Sequence, residues 1–172
     1  MMTRRKHFCV IAIILGAAGA ASSCPVEKAH YRYTDKQSQG TADFIAVSRP
    51  MEGMGDRVAL HIHFPKIKGY KTPGFEDWFL FNQVNGPMID LIESFRPDAP
   101  DWTSTEDPDQ HGVLSDLEYF AWNEDHKVIY EAPSPGSKAP KYIFLPDLAT
   151  ALLHGKHKLI GWGMFKLEKC DP

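Results

Sequence analysis

Positive charge is scarce in this sequence. Its 172 residues contain 19 Lys and Arg against 22 Asp and Glu, which gives a formal net charge of −3. Without a basic excess, the chain has no basic face for gripping phosphate backbones, so nucleic-acid binding is disfavoured. Disorder is also disfavoured, because 43% hydrophobic and 24% charged residues are typical of globular proteins. The length fits one domain with its own core.

The sequence also lacks the short motifs of common enzyme classes. It contains no G-x-S-x-G elbow, no H-E-x-x-H pair, no P-loop and no Gly-rich dinucleotide fingerprint. Its densest group of acidic residues lies in a polar stretch, without the apolar setting that raises the pKa of one carboxyl for glycoside hydrolysis. We therefore favour binding over catalysis and assign no catalytic residue.

The N-terminus has the layout of a secretory signal peptide. Basic residues at positions 4–6 precede an apolar run, residues 8–15, and then a stretch of small residues. The strongly apolar part is too short to span a bilayer, which needs about 20 residues. No second long apolar run follows. We expect residues 1–23 to be removed and residues 24–172 to form one exported domain, periplasmic or secreted.

Two cleavage sites are compatible with this leader. Residues 18–20 fit ordinary cleavage before Ala21, whereas residues 21–24 loosely resemble the lipoprotein box, which would put the cut before a lipidated Cys24. Either cut leaves Cys24 and Cys170 in the domain, an even pair that favours a disulfide in an oxidising compartment. A lipid on Cys24 would leave Cys170 as an unpaired thiol. We expect the disulfide, with a membrane-anchored lipoprotein as the alternative.

Strand patterns outnumber helix patterns along the domain. Alternating or short apolar runs predict strands at residues 31–33, 44–47, 57–64, 78–81, 117–122, 127–130, 141–145 and 158–167. Two stretches have helical spacing: one opens at Pro87, and one opens near Pro146 and stops at Gly155. The first helix would align Met88, Leu91, Ile92 and Phe95 on one face. The predicted fold class is α+β: a mainly antiparallel β-sheet with two short helices and long surface loops.

Residues 107–118 resemble an EF-hand calcium loop at several fixed positions. The predicted ligands are Asp107, Asp109, Ser115 and Glu118, with Gly112 at the sixth position, where the loop turns sharply. However, His111 replaces an oxygen ligand, and two prolines in residues 97–100 prevent an entering helix. The alternative is a solvated acidic loop that leads into a β-hairpin, with Glu118 on a strand. Calcium is the cofactor that this loop suggests.

A second metal candidate is the pair His61 and His63. Residues two apart on a strand share a face, so both imidazoles could bind one transition-metal ion. A third ligand would have to come from His154 or His157, or from the thioethers of Met51 and Met54. The alternative is two ordinary histidines on a solvated sheet face.

Charge and aromatic content suggest a partner for the acidic loop. Removal of the leader would leave 16 Lys and Arg against 22 Asp and Glu, a net charge of −6. We predict that Trp102, Glu106, Asp107 and Asp109 contact an unidentified protein or ligand of positive charge. The predicted function is an exported binding protein, such as an inhibitor or immunity-type protein. The alternative is a metal carrier or metal-dependent hydrolase centred on His61 and His63.

Overall fold

Antiparallel β-strands account for most of the chain that the computed structural model describes, namely residues 23–35, 39–47, 58–66, 73–82, 88–94, 96–100, 114, 116–154 and 163–172. The strands are β1 (Ala29–Tyr33), β2 (Thr41–Ala46), β3 (Val58–Phe64), β4 (Phe75–Asn82), β5 (Ile89–Ser94), β6 (Leu117–Trp122), β7 (Val128–Ile129), β8 (Tyr142–Phe144) and β9 (Phe165–Cys170). These ranges also contain one α-helix, α1 (Pro146–His154), and a 3₁₀ turn, Val26–Lys28. No helix within them has the length and apolar character needed to cross a membrane.

The strands form a sheet that closes on itself. Its order is β5-β4-β3-β2-β1-β9-β8-β6, and β5 also pairs with β6. At this closing seam the register pairs are Ile89 with Tyr119, Asp90 with Glu118 and Leu91 with Leu117. The result is a closed barrel of eight antiparallel strands. Strand β7 pairs with the end of β6 and lies outside the ring of eight.

Large side chains fill the barrel. In β3 the residues at even positions are buried, whereas both histidines on the other face are partly exposed. The ring of Tyr33 meets Phe64 and Phe165 edge-on, at centroid distances of 5.2 and 5.0 Å. An eight-stranded barrel is just wide enough for side chains to fill its interior. Alternation along each strand therefore separates an apolar interior from a polar outer face.

One segment packs at each end of the barrel. Before β1, Val26 is fully buried, and its N–H donates to the carbonyl of Ser137 at 2.9 Å. Helix α1 directly follows β8, at the end where β5 stops and β6 begins, and its Leu148 and Leu152 join the same core. The core thus runs from the 3₁₀ turn to the helix.

The predicted fold class is wrong in two respects. The chain is mostly antiparallel β with a closed barrel, not α+β with two helices. The first expected helix is instead β5: Leu91 is buried in the core, whereas Ile92, its neighbour, lies on the other face and is only partly buried. A short apolar run fits both the helical period of about 3.6 residues and the strand period of two. This segment is a strand because it pairs with β4 and β6. The second helix is confirmed as α1.

Candidate functional site

The predicted site residues fall into two groups. Trp102, Glu106, Asp107, Asp109 and Ser115 lie outside the described residues. The described group consists of Glu118, His61, His63, Cys24 and Cys170. The structure does, however, describe the residues that flank the acidic segment, which we define as residues 101–113. Those flanks fix where the segment leaves and rejoins the barrel.

The first flank, residues 96–100, packs on the outer face of the barrel. Pro97 is fully buried, and Ala99 packs against a small apolar cluster that includes Val47 and Ala59. Ala59 belongs to β3 but points outward, and it is completely covered. The N–H of Ala99 donates to the carbonyl of Arg96 at 3.1 Å, which closes a tight turn. The acidic segment therefore departs from a fixed point on the β2–β3–β4 face.

The second flank, Leu114, is hydrogen-bonded to the end of β5. The N–H of Leu114 donates to Oε2 of Glu93 at 2.6 Å, and the N–H of Glu93 donates to the carbonyl of Leu114 at 2.8 Å. This reciprocal contact extends the β5–β6 seam beyond its last register pair. Both ends of the acidic segment are thus held by buried or doubly hydrogen-bonded residues.

An aromatic and polar surface lies beside the first flank. The rings of His61 and Trp78 stack with centroids 4.9 Å apart and planes 12° apart. Nε2 of His61 is 3.1 Å from Oε1 of Glu76. Hydrogen bonds donated by Arg96 are the main reason that the pKa of Asp98 lies below its ordinary value, and the charge of His61 makes a smaller contribution. The electrostatic effect of His61 on Asp98 places the His61 ring near the first flank. We call these five residues the His61 surface.

The histidine pair is on the outer face, as its spacing predicts. Within the described part of the chain, no group of three His, Cys, Asp or Glu side chains could hold a metal ion. Three of the suggested third ligands, Met51, Met54 and His157, are outside that part, and His154 is exposed at the end of α1. The transition-metal site at His61 and His63 stays a prediction.

Glu118 is a strand residue. It lies in β6, opposite Asp90, and its N–H donates to Oδ2 of Asp147 at 2.9 Å. The hairpin that the sequence allowed as an alternative is confirmed, because β6 pairs with β7 across a short turn. A calcium site that includes Glu118 would therefore sit at a strand and not at the exiting helix of an EF-hand.

Calcium binding has a direct test. If Asp107 and Asp109 bind calcium together with Glu118, millimolar calcium should raise the melting temperature of the domain, because a ligand that binds only the native state stabilises it. Replacing Asp107 and Asp109 with alanine should abolish that rise. Magnesium serves as the control, since it prefers a smaller octahedral site. An equal rise in the double variant would contradict calcium binding at these residues.

The expected disulfide is confirmed. Cys24 and Cys170 are bonded across a sequence separation of 146 residues, with their Cα atoms 5.8 Å apart. The bond ties the segment before β1 to the end of β9, and these two strands also pair directly. A single covalent link therefore joins the two ends of the described chain.

A histidine network that the sequence analysis missed reinforces this junction. Nδ1 of His30 lies 2.7 Å from Oδ1 of Asp43, and Nε2 lies 2.8 Å from Oδ2 of Asp171. An imidazole donates from both nitrogens only when protonated, and the Asp171 hydrogen bond raises the pKa of His30. Hydrogen bonds from Lys169 and His30 lower the pKa of Asp171 to about 2. No short motif marks these residues, which come from three separate strand regions.

Two inward-facing carboxyls were also missed. In β4, Asp77 lies on the same side as Phe79 and Phe81, and in β5, Glu93 lies on the same side as Leu91. The two carboxyls hydrogen-bond to each other, and burial together with this bond raises the pKa of Asp77 to about 8. Period-two alternation in residues 75–82 would have revealed the inward direction of Asp77. It could not have revealed its partner on another strand.

Comparisons with protein-family models, with curated proteins and with solved structures find no match to this chain. Function must therefore be argued from the residues themselves.

Proposed function

We propose that this protein is an exported, disulfide-bonded binding protein whose acidic segment, together with the His61 surface, engages a positively charged protein partner. The supporting observation is the anchoring of the first flank: Pro97 is buried, and Ala99 packs against Ala59 on the barrel face that carries His61 and Trp78. A recognition surface with fixed supports pays less conformational entropy on binding than a free loop.

The composition of the acidic segment supports a cationic partner. Its residues include Asp101, Glu106, Asp107 and Asp109, together with the aromatic Trp102. Charge complementarity speeds the encounter between partners and selects among them. Aromatic residues often carry much of the binding energy in protein interfaces. A secreted enzyme with a basic surface, which this chain would inhibit, has the required chemistry.

The disulfide supports export without lipidation. A disulfide persists in oxidising compartments, which agrees with a cleaved signal peptide at residues 1–23. The sulfur of Cys24 is bonded to Cys170, so it cannot also carry a thioether-linked lipid. A domain released by cleavage before Ala21 or Cys24 is the form of the protein that we expect to bind.

Capture of the partner from envelope extracts tests this proposal. The bait is the domain starting at Ala21, compared with a variant that carries Glu106→Gln, Asp107→Asn and Asp109→Asn. We expect the variant to lose the captured protein, because it lacks three of the charges that attract a cationic surface.

A matched control changes the same number of charges elsewhere. Glu124, Asp125 and Glu131 are exposed on and after the β6–β7 turn, away from both flanks. The corresponding Gln and Asn replacements should leave capture unchanged. If the segment variant captures the partner as well as the wild type does, the acidic segment is not the binding surface.

A further inference from the structure

The Asp77 and Glu93 side chains meet inside the barrel, at the end of the β5–β6 seam. They project from neighbouring strands, and their carboxyl groups hydrogen-bond to each other. Two ionised carboxylates can only accept hydrogen bonds. A hydrogen bond between them therefore requires one proton, and we name Asp77 and Glu93 the proton-sharing pair.

Each carboxyl of the pair has a backbone contact. Oδ1 of Asp77 accepts the N–H of Trp78 at 3.1 Å, and Oε2 of Glu93 accepts the N–H of Leu114 at 2.6 Å. The second contact is one of the two hydrogen bonds that hold the second flank of the acidic segment. The proton-sharing pair is thus connected directly to the rejoining point of that segment.

The charged groups around the pair give it no positive partner from the described strands. Glu76, next along β4, is acidic and acts on Asp77 with the same sign as Glu93 does. From β3, Ile62 stands opposite Asp77, while His61 and His63 point to the outer face. The described cation Arg96 acts on Asp98 and Glu76, and none of the charged groups that act on Asp77 is positive. A second negative charge in the pair would therefore meet repulsion.

We propose that Asp77 and Glu93 form a pH-sensitive latch, in which their shared proton holds Glu93 in place to bind Leu114 and its loss frees the second flank of the acidic segment. When both carboxyls are ionised they repel each other across the β4–β5 contact. Glu93 then moves away from Asp77, and the Leu114 N–H loses its acceptor.

The direction of the pH effect follows from the protonation of Asp77. Its ordinary pKa is 3.8, and in the folded chain its pKa is raised to about 8. Between these values the folded state holds a proton that the unfolded chain has released. Stability from the pair is therefore present at low pH and is lost as pH rises towards and through about 8. If the proposed function holds, partner binding should weaken over the same rise in pH.

Hydrogen exchange at the Leu114 amide tests the latch without any partner, so its failure is distinct from failure of the proposed function. The protection factor, corrected for the intrinsic pH dependence of exchange, is measured at pH 6 and pH 9. In the wild type we expect it to fall about tenfold, as the fully ionised pair becomes the dominant form above the pKa of Asp77.

Two variants remove the titration while keeping a hydrogen bond. In Asp77→Asn the carboxamide can donate to Glu93 at every pH, and in Glu93→Gln it can donate to Asp77. Asp77→Asn should keep Leu114 protected equally at both pH values. Glu93→Gln should remove the pH dependence even if Asp77→Asn folds poorly.

Asp90→Asn, on the outer face of β5, is the matched control and should behave as the wild type does. A pH-independent wild type, or an unchanged tenfold loss in both variants, would overturn the latch.

Discussion

Replacing Cys24 and Cys170 with serine is expected to lower the free energy of unfolding by about 5 kcal/mol. The bond closes a loop across 146 residues, nearly the whole described chain. In the chain-entropy model, a longer loop removes more freedom from the unfolded state. This is the largest stability effect that we expect from any single link in the structure.

Thermal and urea unfolding measure this effect. For a domain of this size, the expected change corresponds to a fall of about 10–20 °C in melting temperature. Reductant should lower the wild-type melting temperature by a similar amount and leave the double serine variant unchanged. Equal melting temperatures for the oxidised wild type and the double variant would contradict a native disulfide that constrains the chain.

Leu91→Ala is expected to cost about 2–5 kcal/mol, whereas Ile92→Ala should cost about 1 kcal/mol. Leu91 is fully buried inside the barrel and pairs with Leu117 at the seam. Ile92 faces the other side of β5 and is only partly buried. A cavity left inside a closed barrel costs more than the loss of a half-exposed side chain.

This pair of variants separates the strand from the helix that the sequence suggested. A helix over residues 87–95 would place both residues on its apolar face, so both substitutions would be about equally costly. Urea midpoints, with unchanged slopes, give the two free energies. Equal losses for Leu91→Ala and Ile92→Ala would contradict the β5 assignment and the barrel closure that depends on it.

Several strand positions were predictable because their pattern is local, although β5 was predicted as a helix. Residues 57–64 alternate between apolar and polar side chains, and β3 buries the expected face. The helix opening at Pro146 was predictable for the same reason, since its start signal and its apolar spacing lie within ten residues. The pairing of Cys24 with Cys170 could be predicted because the expected cleavage would remove Cys9 and leave only these two cysteines.

Closure of the barrel could not be predicted from local patterns. It depends on β5 pairing with β6 across residues 95–116, a contact between strands that the sequence separates by a long polar stretch. Pairing of β1 with β9 spans most of the chain. A period of two reveals that a strand has a buried face, but it does not reveal which strands lie on either side.

The candidate site was predictable in its parts and not in its arrangement. The sequence singled out His61 and the acidic segment as unrelated features. Packing of Ala99 against Ala59, on the outer face of β3, brings the first flank of that segment to the face that carries His61. The proton-sharing pair escaped notice because Asp77 and Glu93 are 16 positions apart and meet only through the β4–β5 register.

Binding through the acidic segment is tested most directly by the association rate constant between the purified domain and its captured partner over a range of salt concentrations. We predict a rate constant that falls steeply as salt rises, because the encounter depends on the charge of the acidic segment. The Glu106, Asp107 and Asp109 replacements should give a slower, nearly salt-independent rate, and the Glu124, Asp125 and Glu131 replacements should match the wild type. Equal rates and equal salt dependence for all three proteins would contradict binding through the acidic segment.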